Sequence, residues 1–425
     1  MKIANVKQLI LIAAFMGSTW ASTVQAVPSF AREIGKNCSY CHNAWPQLNK
    51  KGRSFKELGY RLPDRDLMSF KDIAEEGHIP VSAVIVARPY DKKDSKEDFN
   101  MRALHEVEVF VAGAAGKNWS GFFELEAEDE AQNDFGFEIG IPVALLSYHY
   151  NKAVNVQLLW GEMMWSDPYG LIGDHFRLTR GHVAAFNKSF DGNDGSISSR
   201  RQNLVLTGRP IDQLFYSVGL SAQADSPKGS DSTDVSEGKD ASTIHLRVAF
   251  DVTPDIMVGG FIIDGEVAGT TCTDVDVPAD IGCSAAGDIV PGRPNNTASD
   301  TNLEYQRVGV DAQADFGNSR VQLVFVSASS DGDAAQTGTE NDNDAITVQA
   351  YHVFKSASGA PQWVPLIRFD TYESSNGTNK TDELTLNVGY YFEQNIKGYV
   401  EYWDRSAQDS ANDDDRLTVQ LTVGF

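Results

Sequence analysis

Five consecutive residues near the start of the chain have side chains and spacing that suit covalent chemistry. They are Cys38, Ser39, Tyr40, Cys41 and His42. Two thiols three positions apart can each add to one vinyl group of a haem, and the adjacent imidazole can ligate its iron. A cysteine pair at this spacing also occurs in redox disulfides and as half of a zinc site. The adjoining histidine favours one covalent haem c, bound by Cys38 and Cys41 with His42 as proximal ligand.

The opposite face of the iron would need a second ligand from the same N-terminal segment. Met68 and His78 are the candidates. A thioether generally raises the reduction potential relative to a second imidazole, and either ligand discourages oxygen binding. We expect His78 or Met68 as the sixth ligand. An open position, as in a haem peroxidase or sensor, is the alternative.

The first 26 residues have the pattern of an export signal. Lys2 and Lys7 precede a short apolar run, Leu9 to Met16, and cleavage is expected after Ala26. No later run reaches the roughly 20 apolar residues of a membrane-spanning helix. In an oxidising compartment Cys272 and Cys283 are predicted to form a disulfide, with metal binding as the alternative.

The chain is strongly acidic, which bears on its partners. Its 425 residues include 36 basic and 59 acidic side chains, for a net charge of -23. Such a charge disfavours binding to the phosphate backbone of nucleic acids. Cations are therefore the more suitable partners.

From about residue 81 onward, the sequence repeats segments of alternating apolar and polar residues. The last segment places Leu417, Val419, Leu421 and Val423 on one face and polar residues on the other. A soluble sandwich also shows this alternation. The segments here approach the roughly 9 to 11 residues that a tilted transmembrane strand needs. We therefore predict a mainly β fold, a transmembrane antiparallel β-barrel of about sixteen strands.

Three further features support a barrel in a bacterial outer membrane. Short turns alternate with long polar loops, such as residues 265–302, and Ser166 to Arg200 fits the repeat poorly enough to suggest an inward-folded loop. The terminal Phe425 resembles the C-terminal signature of outer-membrane proteins. Aromatic residues near segment ends are predicted to form interfacial girdles. These are Tyr148, Tyr150, Trp160, Tyr351, Phe354, Tyr391, Phe392, Tyr402 and Trp403.

The segment between the cleavage site and the barrel is too short to bury a full core unaided. Leu48, Phe55 and Leu58 fall at helical spacing, which predicts an amphipathic helix. Residues 27–66 carry eight basic and four acidic side chains, a net charge of +4. We predict that this segment plugs the lumen, with its cations against wall carboxylates. A polar lumen without that charge match is the alternative. The candidate carboxylates are Glu106, Glu108, Glu124, Glu126 and Glu128.

The residues around the cysteine motif resemble the fused monohaem cytochrome c–porin family, which includes outer-membrane Fe(II) oxidases of iron-oxidising bacteria. The likeness lies in the runs Pro28 to Glu33, Trp45 to Asn49 and Gly52 to Lys56, and in Gly59-Tyr60. It implies oxidation of extracellular Fe(II) at the haem and electron transfer to a periplasmic cytochrome. The family's aromatic and histidine-rich stretch after the haem histidine is here Asn43 to Pro46, which leaves room for another electron donor.

Together these inferences predict three segments in the chain. Residues 1–26 form the signal peptide, 27–80 the monohaem cytochrome c segment, and 81–425 the porin-like barrel in the outer membrane of a Gram-negative bacterium. The predicted function is electron transfer from extracellular Fe(II) or another reductant to a periplasmic carrier, which would make the protein an iron oxidase with His42 at the reacting centre. A diffusion porin with a haem-bearing plug is the alternative.

Overall fold

The computed structural model describes eleven stretches of the chain. They are residues 29–61, 80–93, 100–129, 138–171, 176–188, 196–222, 242–271, 289–291, 297–330, 341–374 and 379–425. The predicted signal peptide, the candidate ligands Met68 and His78, and the predicted disulfide partners Cys272 and Cys283 lie outside these residues. Within them, no helix is both long and apolar enough to cross a membrane.

A small helical segment precedes the sheet. Helix α1 (Ser29–Ile34) leads through a 3-10 turn (Cys38–Tyr40) into a hairpin of His42–Ala44 against Gln47–Leu48, and helix α2 (Lys50–Glu57) follows. The amphipathic helix predicted from Leu48, Phe55 and Leu58 is confirmed in part, since Phe55 is buried within α2 but Leu48 precedes the helix and Leu58 follows its last residue. We call residues 29–61 the plug.

Long antiparallel strands make up most of the described chain. They are β1 (Val81–Lys93), β2 (Asn100–Ala114), β3 (Trp119–Glu128), β4 (Glu138–Asn151), β5 (Val154–Glu162), β6 (Arg200–Ile211), β7 (Leu214–Ala222), β8 (Ser242–Thr253), β9 (Ile256–Thr271), β10 (Thr297–Phe316), β11 (Ser319–Ser330), β12 (Asn341–His352), β13 (Pro361–Ser374), β14 (Asn379–Glu393), β15 (Ile396–Ala407) and β16 (Asp414–Gly424).

Each strand pairs with its sequence neighbour, and β16 pairs with β1 to close the sheet, for example Gly424 with Val84. The predicted barrel of about sixteen strands is confirmed, with sixteen long strands among the residues described. Two short strands, Ile289–Pro291 and Phe354–Lys355, pair at its ends. Closure matters because an open sheet edge would leave unpaired backbone groups in lipid.

The strands divide their side chains between lipid and lumen. On β8, Ile244 and Leu246 lie on the outer surface, while His245 and Arg247 are fully buried on the inner side. Outward apolar residues suit the hydrocarbon layer, and inward polar residues suit a lumen filled with protein and water. This alternation gives the barrel a lipid-facing apolar surface.

The aromatic prediction is correct for some residues and wrong for others. Tyr150 and Phe354 are exposed on the outside, but Tyr351, Tyr391 and Trp403 are buried inside. Consecutive residues of a strand point to opposite faces, so two adjacent aromatics cannot both join an outer girdle.

The strands that flank the predicted loop 265–302 extend further than expected, since β9 runs to Thr271 and β10 begins at Thr297.

The described residues of one long connection, 163–171, 176–188 and 196–199, fold into the barrel, as predicted for Ser166 to Arg200. The connection runs from residue 163 to residue 199, between β5 and β6, and includes the short helix α3 (Ala184–Asn187). We call it the inner loop. Its buried Met163 and Phe186 pack in one cluster with Phe261 and Val324 of the wall. The inner loop therefore belongs to the core of the lumen.

Candidate functional site

The cysteine motif sits inside the barrel, near the end that carries the short turns. Arg61 of the plug donates to the carbonyls of Lys117 and Trp119 in the β2–β3 turn region. Arg32 donates to the carbonyl of Val81 at 2.6 Å, where β1 begins. Long loops join the strands at the opposite end. Because outer-membrane barrels have short periplasmic turns and long outer loops, the plug occupies the end that would face the periplasm.

Asn49 ties helix α2 to the cysteine motif. Its side-chain oxygen caps the helix by accepting from the amides of Lys51 and Gly52, at 2.9 Å and 3.1 Å. Its side-chain amide donates to the carbonyls of Ser39 and Tyr40, at 3.3 Å and 3.1 Å. One residue thus satisfies the helix start and fixes the turn that contains the cysteines.

Gly52 allows the helix to lie against the motif. A Cβ atom at this position would be 2.1 Å from the carbonyl oxygen of Cys41, far inside contact distance. That oxygen also accepts from the amide of Asn49 at 2.9 Å. Only glycine permits so close an approach between helix and motif without displacement of the backbone.

His42 is held in an orientation that suits metal ligation. Its Nδ1 lies 2.9 Å from the carbonyl oxygen of Pro46, which requires the proton on Nδ1 and leaves Nε2 as the electron-pair donor. A backbone carbonyl on the second ring nitrogen is a usual partner of metal-bound histidines. Burial lowers the pKa of His42 to about 4, so the ring is neutral at pH 7, the form that binds metal.

The two cysteines are half-buried thiols beside this imidazole. Burial raises the pKa of Cys38 to about 12 and that of Cys41 to about 11. Redox-active cysteine pairs usually have lowered pKa values. The surroundings of Cys38 and Cys41 differ from those of such a pair.

A cavity of about 870 Å³ adjoins the motif, and Cys38, Cys41 and His42 all border it. Cofactor sites commonly have volumes of about 300 to 1,000 Å³. Paired thiols, a neutral imidazole and a cavity of this size fit a covalently attached haem. Cys38 and Cys41 would form its thioether bonds, and His42 would supply the axial nitrogen.

One side of the cavity is aromatic. The rings of Phe30 and Tyr60 stack with centroids 5.2 Å apart, and Phe55 meets Phe30 edge to face at 5.1 Å. Phe122 of β3 lies 5.7 Å from Tyr60 and 5.2 Å from Trp165 of the inner loop. Plug, wall and inner loop thus contribute to one apolar surface of the kind that packs against a flat macrocycle.

The predicted carboxylates line the same cavity, which confirms that they face the lumen. Paired register brings Glu106 opposite Glu128 and Glu108 opposite Glu126 on β2 and β3. All five glutamates border the cavity, but so do several cations. These include Arg88, Arg102, Arg177, Arg180, Arg200 and Lys397. The cavity is therefore mixed in charge rather than uniformly acidic.

The plug is inside the lumen as predicted, but its observed contacts differ from the expected charge match. Lys56 donates to the carbonyls of Trp165 and Asp167 of the inner loop. Glu57 pairs with the wall cation Arg209 at 2.8 Å, which reverses the expected polarity. The difference arises because the folded plug presents backbone carbonyls to the wall. A carbonyl oxygen can only accept, so the groups that face it must be hydrogen-bond donors.

Wall side chains whose role the sequence did not reveal hold the motif in place, and they include Tyr391, which was predicted for the outer girdle. Arg320 donates to Gln47 Oε1 and to the Leu48 carbonyl, both at 3.1 Å. Tyr391 and Lys397 donate to the carbonyl of Trp45. The sequence could have shown that Tyr391 and Lys397 face the lumen, because every second residue of β14 and β15 does so.

The inner loop is fixed by fully buried arginines. Arg247 pairs with Asp167 of the loop at 3.0 Å and with Asp311 of β10 at 2.8 Å. Arg368 donates to the hydroxyl of Thr179 at 2.8 Å and to the carbonyl of Gly181 at 3.0 Å. These bonds hold the loop across the lumen, next to the plug.

Comparison with solved structures shows what the fold resembles. The chain is similar to a loop-deletion mutant of the outer membrane protein OmpT of Vibrio cholerae, with a TM-score of 0.53 and 12% identity over 81% of this chain and 98% of that one. It is similar to the anion-selective porin of Comamonas acidovorans, at 0.55 and 11% over 81% and 98%. Salmonella typhi OmpF in complex with daunomycin gives 0.52 and 14% over 81% and 97%.

No protein-family model and no curated protein sequence matches the chain. The solved structures therefore establish the fold alone, at identities too low to carry a substrate or an activity. Together with the lipid-facing outer surface, they confirm the predicted membrane-spanning barrel. The chain has the fold of the bacterial outer-membrane porins, with a cysteine–histidine motif enclosed in its lumen.

Proposed function

We propose that the protein transfers electrons across the outer membrane of a Gram-negative bacterium through one haem c, covalently bound at Cys38 and Cys41 with His42 as proximal ligand. The observation that carries the proposal is the enclosure of this motif in the lumen beside a cavity of about 870 Å³. The bound group would supply a one-electron couple, so that one Fe(II) outside becomes Fe(III) for each electron delivered to a periplasmic carrier.

The position of the motif supports a direction for this transfer. The cavity extends from Cys41 to Trp403 and Arg405, which lie towards the long-loop end of β15. A reductant outside the cell would approach along the cavity, whereas a periplasmic carrier would approach from the short-turn end. A single cofactor in the lumen shortens the path across an apolar band of about 25 Å.

Fe(II) is the donor that the resemblance to cytochrome–porin fusions suggests. The mixed charge of the cavity does not by itself select a cation, so the choice of iron depends on that resemblance. An electron conduit for another extracellular reductant uses the same motif and cavity. The proposal for the donor is therefore separable from the proposal for the haem.

A test begins with the purified full-length protein. Mass analysis is expected to show one attached haem, which is absent from the C38A/C41A variant. Mixing the oxidised protein with Fe(II) near neutral pH is expected to produce the absorption bands of reduced haem, and H42A is expected to lose this rapid reduction. A wild-type protein without attached haem would overturn the proposal. If haem is attached but Fe(II) does not reduce it, the electron donor is another reductant.

The porin fold also favours a second candidate, a diffusion channel whose plug restricts flow. The comparison structures include an anion-selective porin, which is the observation in its favour. Planar-bilayer recordings of the full-length protein separate the two candidates. The plug and the inner loop lie inside the lumen, so we expect currents below those of an open porin. Large steady currents would favour the channel.

A further inference from the structure

Two buried side chains of the barrel wall meet one backbone oxygen of the plug. The hydroxyl of Tyr391 on β14 donates to the carbonyl oxygen of Trp45 at 2.6 Å. The ammonium of Lys397 on β15 donates to the same oxygen at 3.3 Å and lies 4.8 Å from the centre of the Trp45 ring. Tyr391 is 6% exposed and Lys397 8%. Two donors and a cation–π contact fix this peptide against the wall.

The fixed peptide adjoins the group that orients the imidazole. The carbonyl of Pro46, the next residue, accepts from Nδ1 of His42 at 2.9 Å. The hydrogen bond on the second ring nitrogen sets the tautomer, orientation and basicity of a metal-bound histidine. A movement of the Trp45–Pro46 segment would therefore change the position of Nε2.

In its protonated form, Lys397 also brings a positive charge to the motif. Lys397 and His42 border the same cavity. Oxidation of a haem adds one positive charge at the iron, and a nearby cation opposes that change. In a buried site this repulsion is screened less than at the surface. A lysine at this position should therefore favour the reduced state.

We infer that Tyr391 and Lys397 form a wall clamp that positions the proximal imidazole and raises the reduction potential of the bound haem. The inference rests on the proposed attachment of haem, but not on Fe(II) as the donor. Tyr391 is a positioning residue, since it acts through Trp45 and Pro46, whereas Lys397 acts both through that peptide and through its charge. The barrel thus tunes the haem centre in addition to enclosing it.

Potentiometric titration with chemical mediators at pH 6, on the acid side of neutrality, tests the charge of Lys397. K397M is expected to lower the midpoint potential by about 59 mV or more, which is a tenfold change in the equilibrium constant for a one-electron couple. K397R retains the charge and is expected to stay near the wild-type value. K188M is the matched control, because Lys188 borders the same cavity but belongs to the inner loop and pairs with Glu383 at 3.3 Å. Equal potentials for K397M and the wild type, or equal shifts for K397M and K188M, would overturn the inference.

Paramagnetic resonance of the oxidised haem tests the geometry. Y391F keeps the ring but removes the hydrogen bond to Trp45, so we expect altered g values with haem still attached. Unchanged g values in Y391F would contradict the positioning role. If Y391F fails to form a closed barrel, the same spectra of K397M and K397R decide the question.

These measurements also separate the clamp from the proposed function. They need no iron substrate, so a protein that holds haem but does not react with Fe(II) still tests the clamp. A wild-type protein without haem removes the proposed function before any variant is compared.

Discussion

The plug and the inner loop both fill the lumen, but the wall holds them by different chemistry. The inner loop is anchored by buried charges, as in the contacts of Arg247 with Asp167 and Asp311. The plug is held by donors that meet its backbone carbonyls, as in the contact of Tyr391 with Trp45, and by the ion pair of Glu57 with Arg209. Buried charges are costly to leave unpaired, whereas a single neutral hydrogen bond contributes about 1 kcal/mol. The inner loop is thus integral to the barrel, and the plug is a docked element whose geometry can be adjusted.

The largest expected effect tests the anchoring of the inner loop. R247M leaves Asp167 and Asp311 buried without their cation, so the free energy of unfolding should fall by about 3 to 5 kcal/mol. The loosened loop should also increase ion current through the lumen. Thermal unfolding and planar-bilayer recordings measure the two effects.

Two further variants show whether the lost stability of R247M comes from its unpaired carboxylates. R247M/D167N/D311N removes both orphaned carboxylates and is expected to recover part of the lost stability. K152M removes an exposed lysine at a turn, where a surface ion pair contributes little. If R247M has wild-type stability, buried charges do not anchor the inner loop more strongly than hydrogen bonds anchor the plug.

A smaller effect is expected where helix α2 contacts the motif. G52A places a methyl group against the Cys41 carbonyl, and overpacking of this kind costs about 1 to 3 kcal/mol. The plug should unfold at lower urea concentration, and the haem absorption bands should change with it. G140A is the control, because a Cβ atom at Gly140 meets nothing within 4 Å. Equal behaviour of the two variants would show that the close approach is unimportant.

The docking of the plug should depend on pH through Lys56. Burial lowers the pKa of Lys56 to about 7, against about 10.4 for a free lysine. Between about pH 7 and pH 10 the undocked plug binds a proton that the docked plug lacks, so docking strengthens as pH rises. The slope is at most about 1.4 kcal/mol per pH unit. Urea titrations of the plug transition at several pH values measure it, and K56M should abolish the slope attributable to this group.

The smallest expected effect concerns the cap of helix α2. N49A removes the cap and should lower plug stability by about 1 kcal/mol. N49S keeps a capping oxygen but not the amide that reaches Ser39 and Tyr40, so it separates helix capping from fixation of the motif. A chemical-denaturation series on the three proteins is sufficient. If N49S loses as much stability as N49A, the more important role of Asn49 is to fix the turn that contains the cysteines.

Local patterns predicted the elements of the fold well. Alternation along β8 or β16 is a property of one strand, so it can be recognised without knowledge of its neighbours. The inner loop was recognisable because its sequence breaks that alternation. The ends of β9 and β10 were missed, since strand residues beyond the lipid have no apolar face to reveal them.

Contacts between distant parts of the chain could not be predicted in this way. The contact of Arg320 with Gln47 joins residues 273 positions apart, and that of Tyr391 with Trp45 joins residues 346 apart. The sequence showed that the plug is basic, but it could not show that the folded plug would present carbonyls to the wall. The pair Glu57–Arg209 therefore has the polarity opposite to the one expected.

The position of Tyr391 and Lys397 near the C-terminus has a consequence for assembly. Both lie on β14 and β15, and only β16 follows them before the sheet closes on β1. A nascent barrel that has not yet incorporated its last three strands would lack both donors for Trp45. The surroundings of His42 are then completed only when the last strands insert, so under the proposed function a half-built protein would differ from the finished one in reduction potential.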